Sequence, residues 1–265
     1  MQGMVQSAEY IYNKIISEDL LSLAYNCDQD QGTHKYPLVT TGHSLGAGTA
    51  TILAFLLRDS YPDTRVTCYA YSPPGGLLSQ PAALESEKFT VSVVVGDDVI
   101  PRLSLTNIGA LSRDIKQAIS MCNLPKYQVF GYGCMACCCK REIKPLYEEL
   151  ERLYPTLTNN SHDPSESILN ESHEELISTS TVQVAATRDP PSLSVLLSMP
   201  PMYLPGRVIH ITEAPGSCYS VTERNKLNFQ KILVSPTMLS DHFPNCLDRV
   251  LQSCPDSINL LPVLV

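Results

Sequence analysis

Apolar residues in the first half of the chain switch between a spacing of three to four and a spacing of one to two, and the switching sets the order of elements. Met4, Ala8, Ile11 and Ile15 recur at helical spacing, so residues 4–21 are predicted to form an amphipathic helix. A polar loop over 26–34 leads into a β-prone run at 37–41. Residues 47–58 return to the helical period, with Ala50, Leu53, Ala54 and Leu57 on one side, and stop before Asp59-Ser60-Tyr61-Pro62. Residues 65–71 and 89–95 read as strands, separated by the turn Ser72-Pro73-Pro74-Gly75-Gly76. The second of them is a nearly continuous β-branched run, the signature of a strand covered on both faces. A helix is predicted over 105–121 with Leu105, Ile108, Leu111, Ile115 and Ile119 facing inward. Such alternation of strand and helix predicts an α/β domain with a mostly parallel sheet and flanking crossover helices.

The second half is less regular. Residues 127–130 form a candidate strand, while 148–202 are rich in Ser, Thr, Pro and acidic residues, with one apolar patch at 193–197. The stretch 140–202 is therefore expected to be a flexible insertion within a single domain spanning 1–265, rather than a second domain. Strand signal returns at 207–212 and again at 229–234, and a last helix is predicted over 241–252.

Composition narrows the classes. A chain of 265 residues holds one large α/β domain, alone or with an insertion. Its net charge of −8 argues against nucleic acid as a partner and provides no general attraction to anionic membranes. No run approaches the ~20 apolar residues of a membrane span, and the first residues lack the apolar core of a signal peptide. Of ten cysteines, Cys134, Cys137, Cys138 and Cys139 crowd into one hexapeptide and the rest are scattered. Neighbouring cysteines cannot satisfy disulfide geometry with each other, so a reduced, cytosol-facing setting is expected. The glycosylation sequons at Asn159 and Asn170 read as fortuitous matches in a polar segment.

Chemistry enters at Gly42-His43-Ser44-Leu45-Gly46, which sits between the predicted strand and helix. This is the G-x-S-x-G pattern of a nucleophile elbow in the strand–turn–helix context that its mechanics require. The glycines are expected to relieve crowding in the tight turn, the following helix to aim its N-terminal amides at developing negative charge, and the Leu45 amide to bind the oxyanion. A serine nucleophile needs a base, and the base an orienting carboxylate. Catalytic side chains in such sheets stand in loops at the carboxyl ends of parallel strands. Gly96-Asp97-Asp98 follows the strand at 89–95, so either carboxylate is a candidate. Six histidines compete for the base. His34 precedes the serine in a polar loop, and His43 is expected to point away from it. His162 and His173 fall in the insertion, and His210 is mid-strand. His242, at the mouth of the closing helix, is favoured by topology, and the chain order Ser44, Asp98, His242 agrees with the elbow rule.

These residues resemble the catalytic domain of the sn-1-specific diacylglycerol lipases, within the class 3 or fungal-type lipases. The likeness is densest at residues 42–50, 69–78, 96–102, and at 235–239 through His242 and Pro244, and 203–210 is similar to the strand after the family's regulatory loop. The resemblance implies an α/β-hydrolase-type fold, with Ser44 as nucleophile, Asp98 rather than Asp97 as orienting acid, and His242 as base. It implies a diacylglycerol substrate at a membrane surface, and makes the insertion the counterpart of a loop gating substrate access. No cofactor is required for the chemistry it implies, no metal ligands are assigned, and calcium stimulation is allowed by resemblance only. The family's four membrane helices and the strand upstream of the elbow strand have no counterpart here. The chain is thus read as N-terminally truncated, with strand 37–41 at a bare edge and a second oxyanion donor missing.

Cys134 to Cys139, followed by Lys140 and Arg141, fit palmitoylation beside a membrane, simple packing of small thiols, or half of a zinc site. Three functions stay open on the residues. They are an sn-1 diacylglycerol lipase, a serine hydrolase acting on another acyl ester or thioester, and a non-catalytic fragment that binds membrane or a partner.

Overall fold

The computed structural model describes residues 2–27, 32–33, 36–122, 127, 199–214 and 218–253. The chain divides into two units, Met1–Cys122 with Pro191–Val265, and Asn123–Pro190. The first unit holds the sheet and the helices packed on it. His34, His162, His173, the cysteines at 134–139, both sequons, the apolar patch at 193–197 and the insertion up to residue 198 lie outside the described residues. So does the strand expected at 127–130, apart from Tyr127.

Five strands, β1 (Leu38–His43), β2 (Val66–Tyr71), β3 (Thr90–Val95), β4 (Arg207–Ala214) and β5 (Cys218–Arg224), form one sheet in sequence order. The first four are parallel and β5 is antiparallel to β4. Every residue of β3 is buried, because both faces of its pleat are covered. Val91, Val93 and Val95 pack with Ile209 and Ile211 against Leu247 and Val250 of α6 (Pro244–Ser253). Val94, on the opposite face, packs with Leu204, Val208 and Phe229. On β2, Val66, Cys68 and Ala70 meet Leu53, Ala54 and Leu57 of α3 (Leu45–Ser60). Each such fully buried aliphatic side chain contributes about 1.5–3 kcal/mol.

Small residues set how closely the helices approach. Ala47, Gly48, Ala50 and Ala54 give α3 a flat face for α1 (Gln2–Ser17), where Ala8 is fully buried. A Cβ on Gly48 would come within 2.5 Å of the Met4 sulfur. The inward positions of α1 are Met4, Ala8, Tyr12 and Ile15, whereas Ile11, expected inside, is exposed. The helix predicted over 4–21 is interrupted. Asp19 adopts φ 49°, which aspartate tolerates better than most residues, and α2 (Leu20–Asn26) starts anew.

Two further expectations from the hydrophobic pattern fail. Residues 229–234 form no strand; they follow a 3₁₀ turn at Lys226–Phe229, and the fifth strand is β5. Helix α5 (Leu105–Met121) has the predicted bounds, capped by the Ser104 hydroxyl accepting from the Asn107 amide. Its apolar stripe, however, is not inside: Leu105, Ile108, Ile115 and Ile119 are all exposed. Its buried residues are Asn107 and Gly109, so only the first turns pack on the body. A short helix, α4 (Gln80–Glu85), precedes β3. Among the described residues β1 is an edge strand, with β2 on one side and Val39 49% exposed.

Candidate active site

Ser44 stands where β1 ends and α3 begins, with φ 57° and ψ −124°. A non-glycine residue held there carries strain of about 1–3 kcal/mol, and persists only when its surroundings over-determine it. They do so here. The Ser44 amide donates to the Tyr71 carbonyl at 2.9 Å, continuing the β1–β2 ladder, and its carbonyl accepts from the amides of Ala47 and Gly48 in the first turn of α3. Ser72, at the end of β2, has φ 50° and donates its amide to Val93 at 2.8 Å. The crowding expected of both elbow glycines is one-sided. A Cβ on Gly42 would fall on the Gly46 carbonyl, whereas one on Gly46 would meet nothing within 4 Å.

Asp98 lies three residues beyond β3 and is fully buried. One carboxylate oxygen accepts the Ile100 amide at 2.9 Å. The other lies 3.1 Å from Nδ1 of His242, whose Nε2 lies 3.0 Å from the Ser44 hydroxyl. The three residues singled out from sequence thus meet in one line of hydrogen bonds, although 144 and 198 positions separate His242 from its two partners. Asp97, the alternative acid, is not part of that line; its amide is held by the Asp241 carboxylate. His242 ends a 3₁₀ turn at Ser240–His242, and α6 starts two residues later, at Pro244 rather than near 241. An ionised carboxylate only accepts, so the Nδ1 proton belongs to the bond with Asp98 and Nε2 is left free to accept from Ser44.

Four neighbours of this line were given no role by the sequence, although His43 and His210 were weighed there as bases. His43 does not point clear of the site: its Nε2 donates to the His242 carbonyl at 2.9 Å and its ring lies 4.7 Å from the His242 ring. Asp241, through its bond to the Asp97 amide, holds the acid loop. Arg102 is buried, donates to the Asn228 carbonyl and lies over the Phe229 ring. Burial pushes its guanidinium below its ordinary value, while the carboxylates of Asp97 and Asp98 pull it upward. His210 donates Nε2 to the Gly96 carbonyl at 2.7 Å, bracing the acid loop from β4. Each acts through tertiary contacts, and no local spacing in the chain marks them.

Burial holds the His210 imidazole below the ordinary histidine value of 6.5. The unfolded chain regains that value, so below it the unfolded state binds the proton more readily. Stability present above pH 6.5 is therefore lost as pH falls through 6.5 toward the depressed folded value. Thermal unfolding between about pH 7 and about pH 5 should show a falling midpoint, and His210→Gln should flatten that decline.

Leu45 opens α3, so its amide is one that has no partner within the helix. Leu45 and Phe243, the residues that follow Ser44 and His242, and Leu239, which precedes the 3₁₀ turn, are apolar and exposed, at 64%, 59% and 60%. Among the described residues, no three His, Cys, Asp or Glu side chains converge as metal ligands would, so the calcium allowed by resemblance finds no ligand set there. No helix among the described residues is long and apolar enough to cross a membrane.

The sequence model of the class 3 lipases matches residues 1–108. Human diacylglycerol lipase-alpha is 34% identical over 256 residues, covering 92% of this chain and 21% of that protein. Mouse diacylglycerol lipase-beta is 36% identical over 275 residues, covering 96% of this chain and 38% of its own. The chain thus spans between a fifth and two fifths of these relatives' lengths. Among solved structures, a mutant form of MDLA from Penicillium cyclopium is 30% identical, with a TM-score of 0.31 over 38% of this chain and 35% of that one. The Rhizomucor miehei lipase–propeptide complex is 21% identical, with a TM-score of 0.32 over 39% of this chain and 32% of that one.

Proposed function

We infer that this chain, whose residues 1–108 match the class 3 lipases, is the catalytic part of a serine lipase that hydrolyses the sn-1 ester of diacylglycerol. The observation that carries the reading is the continuous line from the Ser44 hydroxyl through His242 to the buried Asp98, with contacts of 3.0 and 3.1 Å. Both fall within the hydrogen-bond reach that proton transfer requires.

In this reading His242 Nε2 takes the Ser44 proton as the oxygen attacks the sn-1 carbonyl. The buried Asp98 carboxylate keeps the Nδ1 proton in place and stabilises the imidazolium that forms. The Leu45 amide supplies one oxyanion donor, where the dipole of α3 adds to it. As the C–O bond breaks, His242 returns its proton to the departing 2-acylglycerol, leaving an acyl ester on Ser44. Water, deprotonated by the same Nε2, then releases the fatty acid. The exposed apolar side chains of Leu45, Leu239 and Phe243, close in the chain to Ser44 and His242, support a substrate presented from a lipid surface over a polar one. The names of the relatives support diacylglycerol as that lipid.

Diacylglycerol carrying different labels at sn-1 and sn-2 tests the reading. The sn-1 label is expected in free fatty acid, and the sn-2 label is expected to stay in monoacylglycerol. Equal release of both, or release of neither, would overturn it.

A further inference from the structure

Each of the two triad contacts is doubled, one residue away, by a second hydrogen bond. Beside Ser44–His242 runs a bond from the residue before the nucleophile: His43 Nε2 donates to the His242 main-chain carbonyl at 2.9 Å. Beside His242–Asp98 runs a bond between their predecessors: the Asp97 amide donates to Asp241 Oδ2 at 2.9 Å. The second bond sits in a built space. Gly96 has φ 51°, and a Cβ there would lie within 2.9 Å of the Asp241 carboxyl carbon, so the carboxylate fills the volume that glycine leaves open. A third tie, from the Val99 amide to the Met238 carbonyl at 3.1 Å, joins the same two loops on main-chain atoms alone.

The need for such ties follows from where the base stands. His242 closes a 3₁₀ turn and belongs to no strand or longer helix, and its side chain is partly exposed. By contrast, Ser44 is held by the sheet ladder and Asp98 is buried. The imidazole is thus the member of the triad with the least inherent support. We propose that His43 and Asp241 are positioning residues, which fix the main chain of the base loop against the nucleophile and acid loops so that the His242 ring spans Ser44 and Asp98. Neither hydrogen-bonds the reacting atoms; both hold the backbone on either side of the His242 Cα, and the His43 ring also packs 4.7 Å from the His242 ring. The inference rests on the lipase reading, because positioning matters only if His242 serves as a base.

The test is labelling of the full chain with a fluorophosphonate probe, resolved into a binding constant and a maximal labelling rate. His43→Leu and Asp241→Ala should each lower the maximal rate about 10- to 100-fold, the cost of a misplacement of roughly 1 Å, with the binding constant within about two-fold of wild type. His43→Gln keeps an N–H donor at similar reach, and Asp241→Asn keeps an oxygen acceptor without the charge. Each should recover most of the loss. His43→Asn, whose amide falls a bond short, should resemble His43→Leu, and serves if the leucine variant does not fold. Labelling of the leucine and alanine variants at the wild-type rate, or no recovery in glutamine and asparagine, would overturn the inference while leaving the lipase reading intact. A wild-type chain that takes no label would sink both.

Discussion

Replacing Ser44 by alanine is expected to abolish fluorophosphonate labelling and to lower kcat by about 10⁴- to 10⁶-fold, the range seen when a member of such a triad is removed. What remains is binding and the oxyanion donor. Asp98→Asn should cost about 10⁴, or roughly 5 kcal/mol of transition-state stabilisation, with little change in structure. The asparagine can still accept the Ile100 amide on its oxygen, but then it turns an N–H donor toward His242 Nδ1. The imidazole responds by placing its proton on Nε2, where it can no longer accept from Ser44. Release of sn-1 acyl chain and probe labelling measure both variants. Label retained on the Ser44→Ala chain would show that another residue is the nucleophile.

The largest effect on folding is expected at Gly42. An alanine Cβ there falls on the Gly46 carbonyl and within 2.8 Å of the Ala47 nitrogen, all main-chain atoms that no rotamer change can move. Relief requires α3 to slide away from β1, against the packing of Ala47, Ala50 and Ala54. A loss of about 3 kcal/mol or more is expected, with the elbow distorted and labelling lost in parallel. Gly46→Ala is the contrast, since its Cβ enters open space, and its stability should change by no more than about 1 kcal/mol. Denaturant unfolding of the two variants separates them; equal midpoints would contradict the one-sided crowding of the elbow.

The elements that were legible in the sequence are those whose local pattern and tertiary role coincide. The run 89–95 is apolar or β-branched at every position but Ser92 because β3 is covered on both faces. The elbow combines a strand, a glycine that the turn cannot do without and a helix of small residues, so β1 and α3 emerged within two residues of their ends or better. The run 229–234 misled because two of its four apolar residues are buried without pairing, while Leu233 and Val234 are exposed. Phe229 and Ile232 reach the core, but the carbonyls of Asn228 and Phe229 are taken by the Arg102 guanidinium and the Asn107 amide instead of by a neighbouring strand. The actual fifth strand, β5, alternates weakly and has polar residues through its length, as an antiparallel strand with a wet face does. Helix α5 misled differently: its period is helical, but the stripe that the period defines is exposed.

For the site, the three residues that the structure brings into one line of hydrogen bonds, Ser44, Asp98 and His242, were candidates from one motif, a loop after a strand and a histidine before a closing helix. These are local chemical requirements, and short spans of chain encode them. What holds them in register could not be read in that way. The His43 bond to the His242 carbonyl and the Asp241 bond to the Asp97 amide join segments 199 and 144 residues apart, and each uses a main-chain atom that every residue possesses. A main-chain carbonyl carries no mark in the sequence, so its partner is chosen only when the sheet stacks β1 beside β2 and β2 beside β3 and brings three loop ends to one rim. Residue type decided which groups can do the chemistry, and the packed fold decided which of them meet.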